Sequence, residues 1–291
     1  MSERYIVLVS LDALTPSMQE ILRTLTSEIE AHDGVSPINE SAALGIQGLR
    51  EADFFFYGKR SEPHGFVVVD ERDGTLLLGV HPDFRRQGVG TELAEEALRA
   101  HPDSSVWAFG TLPGAAALAK RVGLTPVREL LRMEKALDAV DAPAVPEGFE
   151  LTSYTPADAE AVVAVNAEAF AHHPEQGRLT VNEFLDLTRQ PWFDPEGLIL
   201  AKRDGVLAGF HWTKRHGDGM GEVYVLAVAS AFEGKGLGRV LLEAGLAHLH
   251  RAGDDRVQLY VEGDQERVVR MYTNSGFTVA QTDTSYRLQR G

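Results

Sequence analysis

Arg85-Arg86-Gln87-Gly88-Val89-Gly90 and, later in the chain, Glu233-Gly234-Lys235-Gly236-Leu237-Gly238 are two copies of one short glycine pattern. Each follows an apolar run, at residues 75–80 and 223–228, that reads as a strand. Each opens a stretch with helical spacing of apolar residues, Leu93, Ala94, Ala97 and Leu98 in the first and Leu242, Leu246 and Leu249 in the second. A strand, a glycine turn and a helix N-terminus together make an anion site. The glycines let backbone approach a ligand, and the unpaired N–H groups of the first helical turn point at it. The expected guest is a phosphate-bearing cofactor.

The commoner nucleotide motifs do not fit. No Gly-x4-Gly-Lys-Ser/Thr string is present, and Gly234-Lys235-Gly236-Leu237-Gly238 lacks the third spacing of the dinucleotide fingerprint.

The repeat extends beyond the loops. Thr15-Pro16 and Thr155-Pro156 both read as helix starts, with Asp158 in the first turn of the second. After each glycine loop and its helix come a short strand (residues 106–109 and 257–261), a helix closed by Gly123 or Gly276, and a final strand (127–137 and 279–288). Residues 138–148, with Pro143 and Pro146, read as a linker. The expected domains are therefore 1–137 and 149–291, which suits a chain of 291 residues.

A loop of the form Arg/Gln-x-x-Gly-x-Gly after a strand resembles the acyl-CoA pyrophosphate loop of the GNAT family of N-acetyltransferases. The resemblance implies two tandem GNAT domains, each an α/β unit on a mixed sheet, and acetyl-CoA as the acetyl donor.

Composition narrows the partners. The formal net charge is −15, which argues against a nucleic-acid groove and suits an amine-bearing small molecule. No apolar run approaches the ~20 residues of a membrane span, and the first residues lack a signal sequence. With no cysteine there is no disulfide, thiolate nucleophile or cysteine zinc site, and neither adjacent His172-His173 nor His248 and His250, two apart on a helix, have the spacing of metal ligands. A monomeric cytoplasmic enzyme without a metal is expected.

Acetylating an amine requires a base for the ammonium and an acid for the departing thiolate. Glu222, at the head of an apolar strand, is the candidate base. By simple alternation it shares a face with Tyr224 and Leu226, unless a bulge intervenes. Tyr272, four residues before Gly276, is the candidate acid. The same offsets in the first half fall on Gly74 and Ala119, so only the second half carries proton-transfer groups. The first half is expected to be a non-catalytic copy that binds CoA or lines the substrate cleft.

Several strings resemble, more specifically, the mycothiol synthase family, tandem-GNAT enzymes of actinobacterial thiol metabolism: Asp33-Gly34-Val35, His173-Pro174-Glu175-Gln176-Gly177, Trp192-Phe193-Asp194-Pro195, Gly209-Phe210-His211-Trp212-Thr213-Lys214, Gly221-Glu222-Val223-Tyr224-Val225 and Leu259-Tyr260-Val261-Glu262. That resemblance implies N-acetylation of the cysteinyl amine of a cysteinyl-glucosaminyl-inositol. It implies acceptor contacts at Glu40, Glu175, Lys214, Glu222 and Tyr260. It implies acetyl-CoA contacts at Leu226, Ala227 and Val228, along the loop Glu233, Gly234, Lys235, Gly236, Leu237, Gly238 and Arg239, and on the last helix at Gln265, Glu266, Arg267, Val268, Val269 and Arg270. In the first half the matching cofactor positions are Leu78, Gly79, Val80, Arg86, Gln87, Gly88, Val89, Gly90 and Thr91. Glu233 stands where Arg or Gln is usual, and Gln265 where Asn is common. Two other readings remain open on the residues: acetylation of a different small amine (an aminoglycoside, a polyamine or a peptide N-terminus), and a CoA-binding sensor without catalysis.

Overall fold

The computed structural model describes residues 6–10, 14–59, 61–138, 143–171 and 176–289. The chain forms two compact units: Met1–Leu131 with Glu262–Asp264 and Gln281–Gly291, and Arg132–Val261 with Gln265–Ala280.

The first unit contains β1 (Ile6–Ser10), α1 (Pro16–Asp33), α2 (Glu40–Ile46), β2 (Asp53–Lys59), β3 (Glu62–Asp70), β4 (Thr75–Val80), α3 (Val89–Ala100), β5 (Ser105–Ala108), α4 (Pro113–Arg121) and the start of β6 (Leu124–Ala136). Thr15 caps α1, its hydroxyl accepting from the Met18 N–H at 3.3 Å. Alternation along the strands puts apolar side chains on both sheet faces. Phe54, Phe56, Phe66 and Val68 meet Met18, Leu22, Leu25 and Ile29 of α1. Phe55, Tyr57, Val67 and Val69 meet Val89, Leu93 and Ala97 of α3.

The second unit contains β7 (Glu150–Ser153), α5 (Ala159–Ala169), α6 (Val181–Leu187), β8 (Leu198–Arg203), β9 (Val206–Arg215), β10 (Met220–Val228), α7 (Leu237–Arg251), β11 (Arg256–Glu262), α8 (Glu266–Asn274) and the start of β12 (Thr278–Leu288). Its sheet is sandwiched likewise. Val162 and Val165 of α5, with Phe184 of α6, pack against Phe210 and Trp212, while Leu237 and Leu241 of α7 cover Ile199, Ala201 and Ala208 on the other face.

The packing boundary departs from the sequential one at the last strand of each repeat. The strand order is β1-β2-β3-β4-β5-β12 in the first unit and β6-β11-β10-β9-β8-β7 in the second. β12 pairs with β5, with Thr284 opposite Ala108 and Tyr286 opposite Val106. Tyr286 is buried in the first unit's core, and Arg287 Nε donates to Ser105 Oγ at 2.8 Å. In the second unit Lys135 of β6 donates from Nζ to the Ser275 carbonyl at 2.8 Å, and the Leu137 N–H bonds the Asp255 carbonyl. The chain thus closes each unit with the other repeat's final strand. Repeat periodicity alone carries no information on that exchange, because each final strand occupies the same place in its repeat.

The cofactor-side geometry repeats in both units. β4 is parallel to β5 only at Thr75 and Leu76, and β10 is parallel to β11 only from Met220 to Val223. Beyond those points the parallel partners part. Among the described residues, one edge of 77–80, and of 225–228, is left without a strand partner in register. On the far side Leu226, Ala227 and Val228 stay paired to His211, Phe210 and Gly209.

Candidate active site

β10 differs from β4 by one feature. Its pairing with β9 shifts between Val223 and Val225, a β-bulge at Tyr224, whereas β4 pairs with β3 without interruption. A bulge inserts one residue and inverts the facing of everything beyond it. Tyr224 and Val225 therefore both pack toward α5 and α6, while Leu226 and Val228 pack toward α7. Glu222 does not share a face with Leu226, as unbroken alternation would have it; it shares one with Tyr224. In the first unit Leu76, Leu78 and Val80 alternate without a break on the α3 side, and Gly74 sits in the turn before β4 with φ +59°.

The bulge lets one strand serve two sites. Its second part offers Leu226 to Val228 as a backbone edge, and its first part presents Glu222 on the opposite face. Glu222 is buried, with 8% of its surface exposed. It stands opposite Lys214 on β9 and Gln258 on β11, so these three side chains form a row across the sheet. Gln258 Nε2 donates to Glu222 Oε2 at 3.3 Å, and His216 Nε2 lies 2.5 Å from the same oxygen. The ammonium of Lys214 lies over the rings of Trp192 and Tyr224, 4.8 and 5.2 Å from their centroids. Those rings pack in turn against Trp212. Tyr260, two residues beyond Gln258, faces the same way and is 47% exposed.

Tyr272 is buried on α8, edge-on to Phe277 with ring centroids 5.7 Å apart. Burial pushes its hydroxyl far above the usual tyrosine range, which keeps it an O–H donor at any working pH. Its counterpart Ala119 is a buried core residue of the first unit.

The glycine loops have the conformation that only glycine adopts freely. Gly234, Gly236 and Gly88 have φ of +74°, +78° and +94°, and Gly236 and Gly88 are the N-caps of α7 and α3. A Cβ on Gly234 or Gly236 would meet no protein atom within 4 Å. The space over the loop is open, as a pyrophosphate would need. Glu233 does not close it. Its carboxylate turns to Arg267 of α8, with an N–O distance of 3.5 Å. Lys235 Nζ folds back to the Ala231 carbonyl at 3.2 Å. Gln265 caps α8 without a side-chain hydrogen bond.

In the first unit a cavity of about 960 Å³ is lined by Leu78, Gly79, Val80, Arg86, Gly88, Gly90 and Thr91 together with Trp107, Phe109 and Leu118. Arg85, at the head of that loop, makes a bidentate pair with Asp33 at 2.7 and 2.8 Å and bonds the Val80 carbonyl at 3.0 Å. It ties the loop to the end of α1 at the wall of the cavity. The residues present in both units fit an acyl-CoA.

Other expected positions are dispersed. Glu40 is exposed on the first turn of α2, in the first unit. Glu175 and the adjacent His172 and His173 lie outside the described residues. Among the described residues, Asp53, Glu71 and His101 bring ligand atoms within 4.8 Å of one another. Burial, then the Glu71 charge, raises the pKa of Asp53 there. No helix among the described residues is long and apolar enough to cross a membrane.

His216 and Gln258 were not legible as site residues. The signal for Gln258 is the parallel register that sets residue 258 beside 222. The signal for His216 is the tight glycine-rich turn at residues 215–219. It returns β10 along β9, with the His216 N–H bonded to the Met220 carbonyl at 3.0 Å.

A strand that parts from its parallel neighbour, followed by a glycine turn and a helix, occurs once per unit, and the model of the acetyltransferase (GNAT) family matches residues 17–123 and again 166–277. The chain belongs to the GNAT family. It is an acetyltransferase whose acetyl donor is acetyl-CoA. Two similar relatives are named mycothiol acetyltransferase. That of Propionibacterium freudenreichii subsp. shermanii is 46% identical, over 88% of this chain and 84% of its own. That of Catenulispora acidiphila is 44% identical, over 92% and 94%. Among solved structures, a GCN5-related N-acetyltransferase from Sphaerobacter thermophilus superposes with a TM-score of 0.72 at 22% identity, covering 97% of this chain and 94% of that one. A tandem GNAT protein from the clavulanic acid pathway gives 0.68 at 21%, covering 98% of each. These two share the fold.

Proposed function

We propose that this acetyltransferase N-acetylates the cysteinyl amine of cysteinyl-glucosaminyl-inositol, the last step in making mycothiol, and that the chemistry belongs to its C-terminal half. The observation that carries the reading is the row Lys214, Glu222 and Gln258 on the bulged strand, with Tyr260 beside it. An acceptor with one ammonium and many hydroxyls matches a carboxylate, a cation, an amide and a phenol on one face. Similarity to the mycothiol acetyltransferases supports the same acceptor.

In this reading acetyl-CoA supplies a polarised thioester with a thiolate leaving group. Its pantetheine amides pair with the open edge at Leu226 to Val228, and its pyrophosphate lies on the first turn of α7. Glu222 takes the ammonium proton. An α-amine of pKa ~7.7–8.0 needs only a modest base. Tyr272 offers its O–H to the departing sulfur. Lys214 and Tyr260 contact the acceptor. The first half binds acetyl-CoA in its own cavity through Leu78 to Val80 and Arg86 to Thr91 but does no chemistry. It lacks the bulge that turns a strand-head carboxylate to the acceptor side, and it has Ala119 in place of the tyrosine.

The test is kcat/KM for the full acceptor, for cysteinyl-glucosamine and for free cysteine. Buried polar groups left unpaired by a truncated acceptor cost rate as well as affinity, so a fall of roughly 10²-fold or more down the series is expected. Equal values, or preference for a polyamine or aminoglycoside, would overturn the acceptor assignment.

A further inference from the structure

Acetylating an ammonium with a thioester releases one net proton per turnover. The nitrogen gives up two protons and the departing sulfur takes one. The remaining proton must reach water, yet Glu222, which receives the first, is only 8% exposed. We propose that His216 is the exit for that proton, a positioning and relay residue that acts through Glu222. The proposal rests on the reading of Glu222 as the base.

The geometry is specific. His216 sits where β9 ends, Lys214 and His216 point to the same face, and Met220 and Glu222 point there from β10. The His216 ring is therefore a diagonal neighbour of Glu222 across the hairpin. Its Nε2 lies 2.5 Å from Glu222 Oε2, and its side chain is 34% exposed against 11% for that of Glu222. One imidazole thus touches both the buried carboxylate and solvent. By register the charged groups on its face are Lys214 of β9 and Arg256 of β11, two residues from Gln258, while Asp218 lies in the exposed turn. Arg256 is turned to Asp255 at 3.5 Å, and Arg215 points to the other side, bonded to Asp254 at 2.8 Å. His216 is the one group among these that contacts Glu222, and an imidazole can take up a proton at one ring nitrogen and give one up from the other.

The steps balance. An N–H bond of the ammonium breaks as an O–H bond forms on Glu222. That O–H bond breaks as an N–H bond forms at Nε2 of the neutral imidazole, restoring the carboxylate beside an imidazolium. The imidazolium releases its Nδ1 proton to water, and exchange of the ring tautomer with water completes the cycle. Gln258 holds Oε2 in place throughout.

Two variants separate relay from simple support. In the full-length enzyme with acetyl-CoA and saturating acceptor, His216→Ala and His216→Gln should both lower kcat, roughly tenfold, less than the 10²–10⁴-fold of a base removed outright. KM for acetyl-CoA and the thermal midpoint should stay unchanged. Added imidazole should restore the Ala variant in proportion to its neutral form, with a rising pH profile that follows the imidazole pKa. Glutamine keeps a donor to Glu222 but carries no proton, so a Gln variant at the wild-type rate would reduce His216 to a hydrogen-bond partner and overturn the relay. Wild-type rate in the Ala variant, or loss without imidazole rescue, would overturn it equally. Glu222→Gln distinguishes the two levels. If that variant is disabled and the His216 variants are not, the relay alone fails. If it is fully active, the reading of Glu222 as base fails first.

Discussion

His211 gives the chain a built-in sensitivity to acid. It is fully buried on β9, its Nδ1 bonded to the Leu241 carbonyl of α7 at 2.8 Å and its Nε2 without a hydrogen-bond partner among the described residues. The helix makes room for the ring at Gly245, where a Cβ would lie 2.0 Å from Nδ1. Burial pushes its pKa down from 6.5 to about 4, against the smaller upward pull of the Leu241 bond. The imidazole is neutral in the folded state, so Nδ1 carries the proton donated to Leu241. The sign follows from linkage: between these two values the unfolded chain binds a proton that the folded chain excludes. The stability held above pH 6.5 is therefore lost as pH falls toward 4. A shift of this size corresponds to about 3 kcal/mol across the whole window and about 2 kcal/mol between pH 7 and pH 5. His211→Gln keeps a donor for Leu241 and cannot titrate. Urea unfolding followed by tryptophan fluorescence, with Trp212 adjacent to the site, should show wild type losing about 2 kcal/mol more than the variant between pH 7 and pH 5. Equal losses in the two proteins would refute the assignment of a neutral buried imidazole.

Three further outcomes follow from the site. Gly236→Val forces a branched side chain into φ +78° and the open space over the loop, so acetyl-CoA binding by the C-terminal unit and turnover should collapse, while Gly88→Val retains turnover. Comparable loss of chemistry in two folded variants would contradict the division between halves. Tyr272→Phe should lower single-turnover rate ~10²–10⁴-fold with acetyl-CoA affinity intact, read by rapid quench and by calorimetry. Lys214→Met keeps the stem on Trp192 and removes the charge opposite Glu222. Acceptor kcat/KM should fall by roughly tenfold or more, as expected for a lost charged hydrogen bond, while KM for acetyl-CoA is unchanged.

Much of the fold was legible because the repeat states it twice. Residues 75–80 form β4 as expected, Gly123 and Gly276 end helices with φ of +76° and +88°, and Thr155-Pro156 opens a helical turn, with Asp158 in it, that leads into α5. The exchange of final strands was not legible, because it is decided by which core Tyr286 and Leu288 fill. Within the site, the strand pattern picked out Glu222, and the family resemblance pointed to Lys214 as a separate position. That they stand side by side depends on β9–β10 register. That Glu222 turns away from Leu226 depends on a bulge at Tyr224, for which Gly221-Glu222-Val223-Tyr224-Val225 carries no glycine or proline marker at the bulged residue. His216 was hidden because a turn histidine is ordinarily a surface residue. Only the hairpin's closure brings it onto a buried carboxylate.

Glu222 of the bulged strand, as the base for the acceptor amine, can be tested head-on. The most direct measurement is the single-turnover rate of acetyl transfer in Glu222→Gln, with acetyl-CoA and acceptor saturating, between pH 6 and pH 9. With the base removed, the rate at pH 6 should fall by ~10²–10⁴-fold. The deficit should narrow as pH rises through the amine's own pKa near ~8, where water can supply the free base. A folded variant with the wild-type rate at pH 6, or a deficit that does not change across that range, would contradict it.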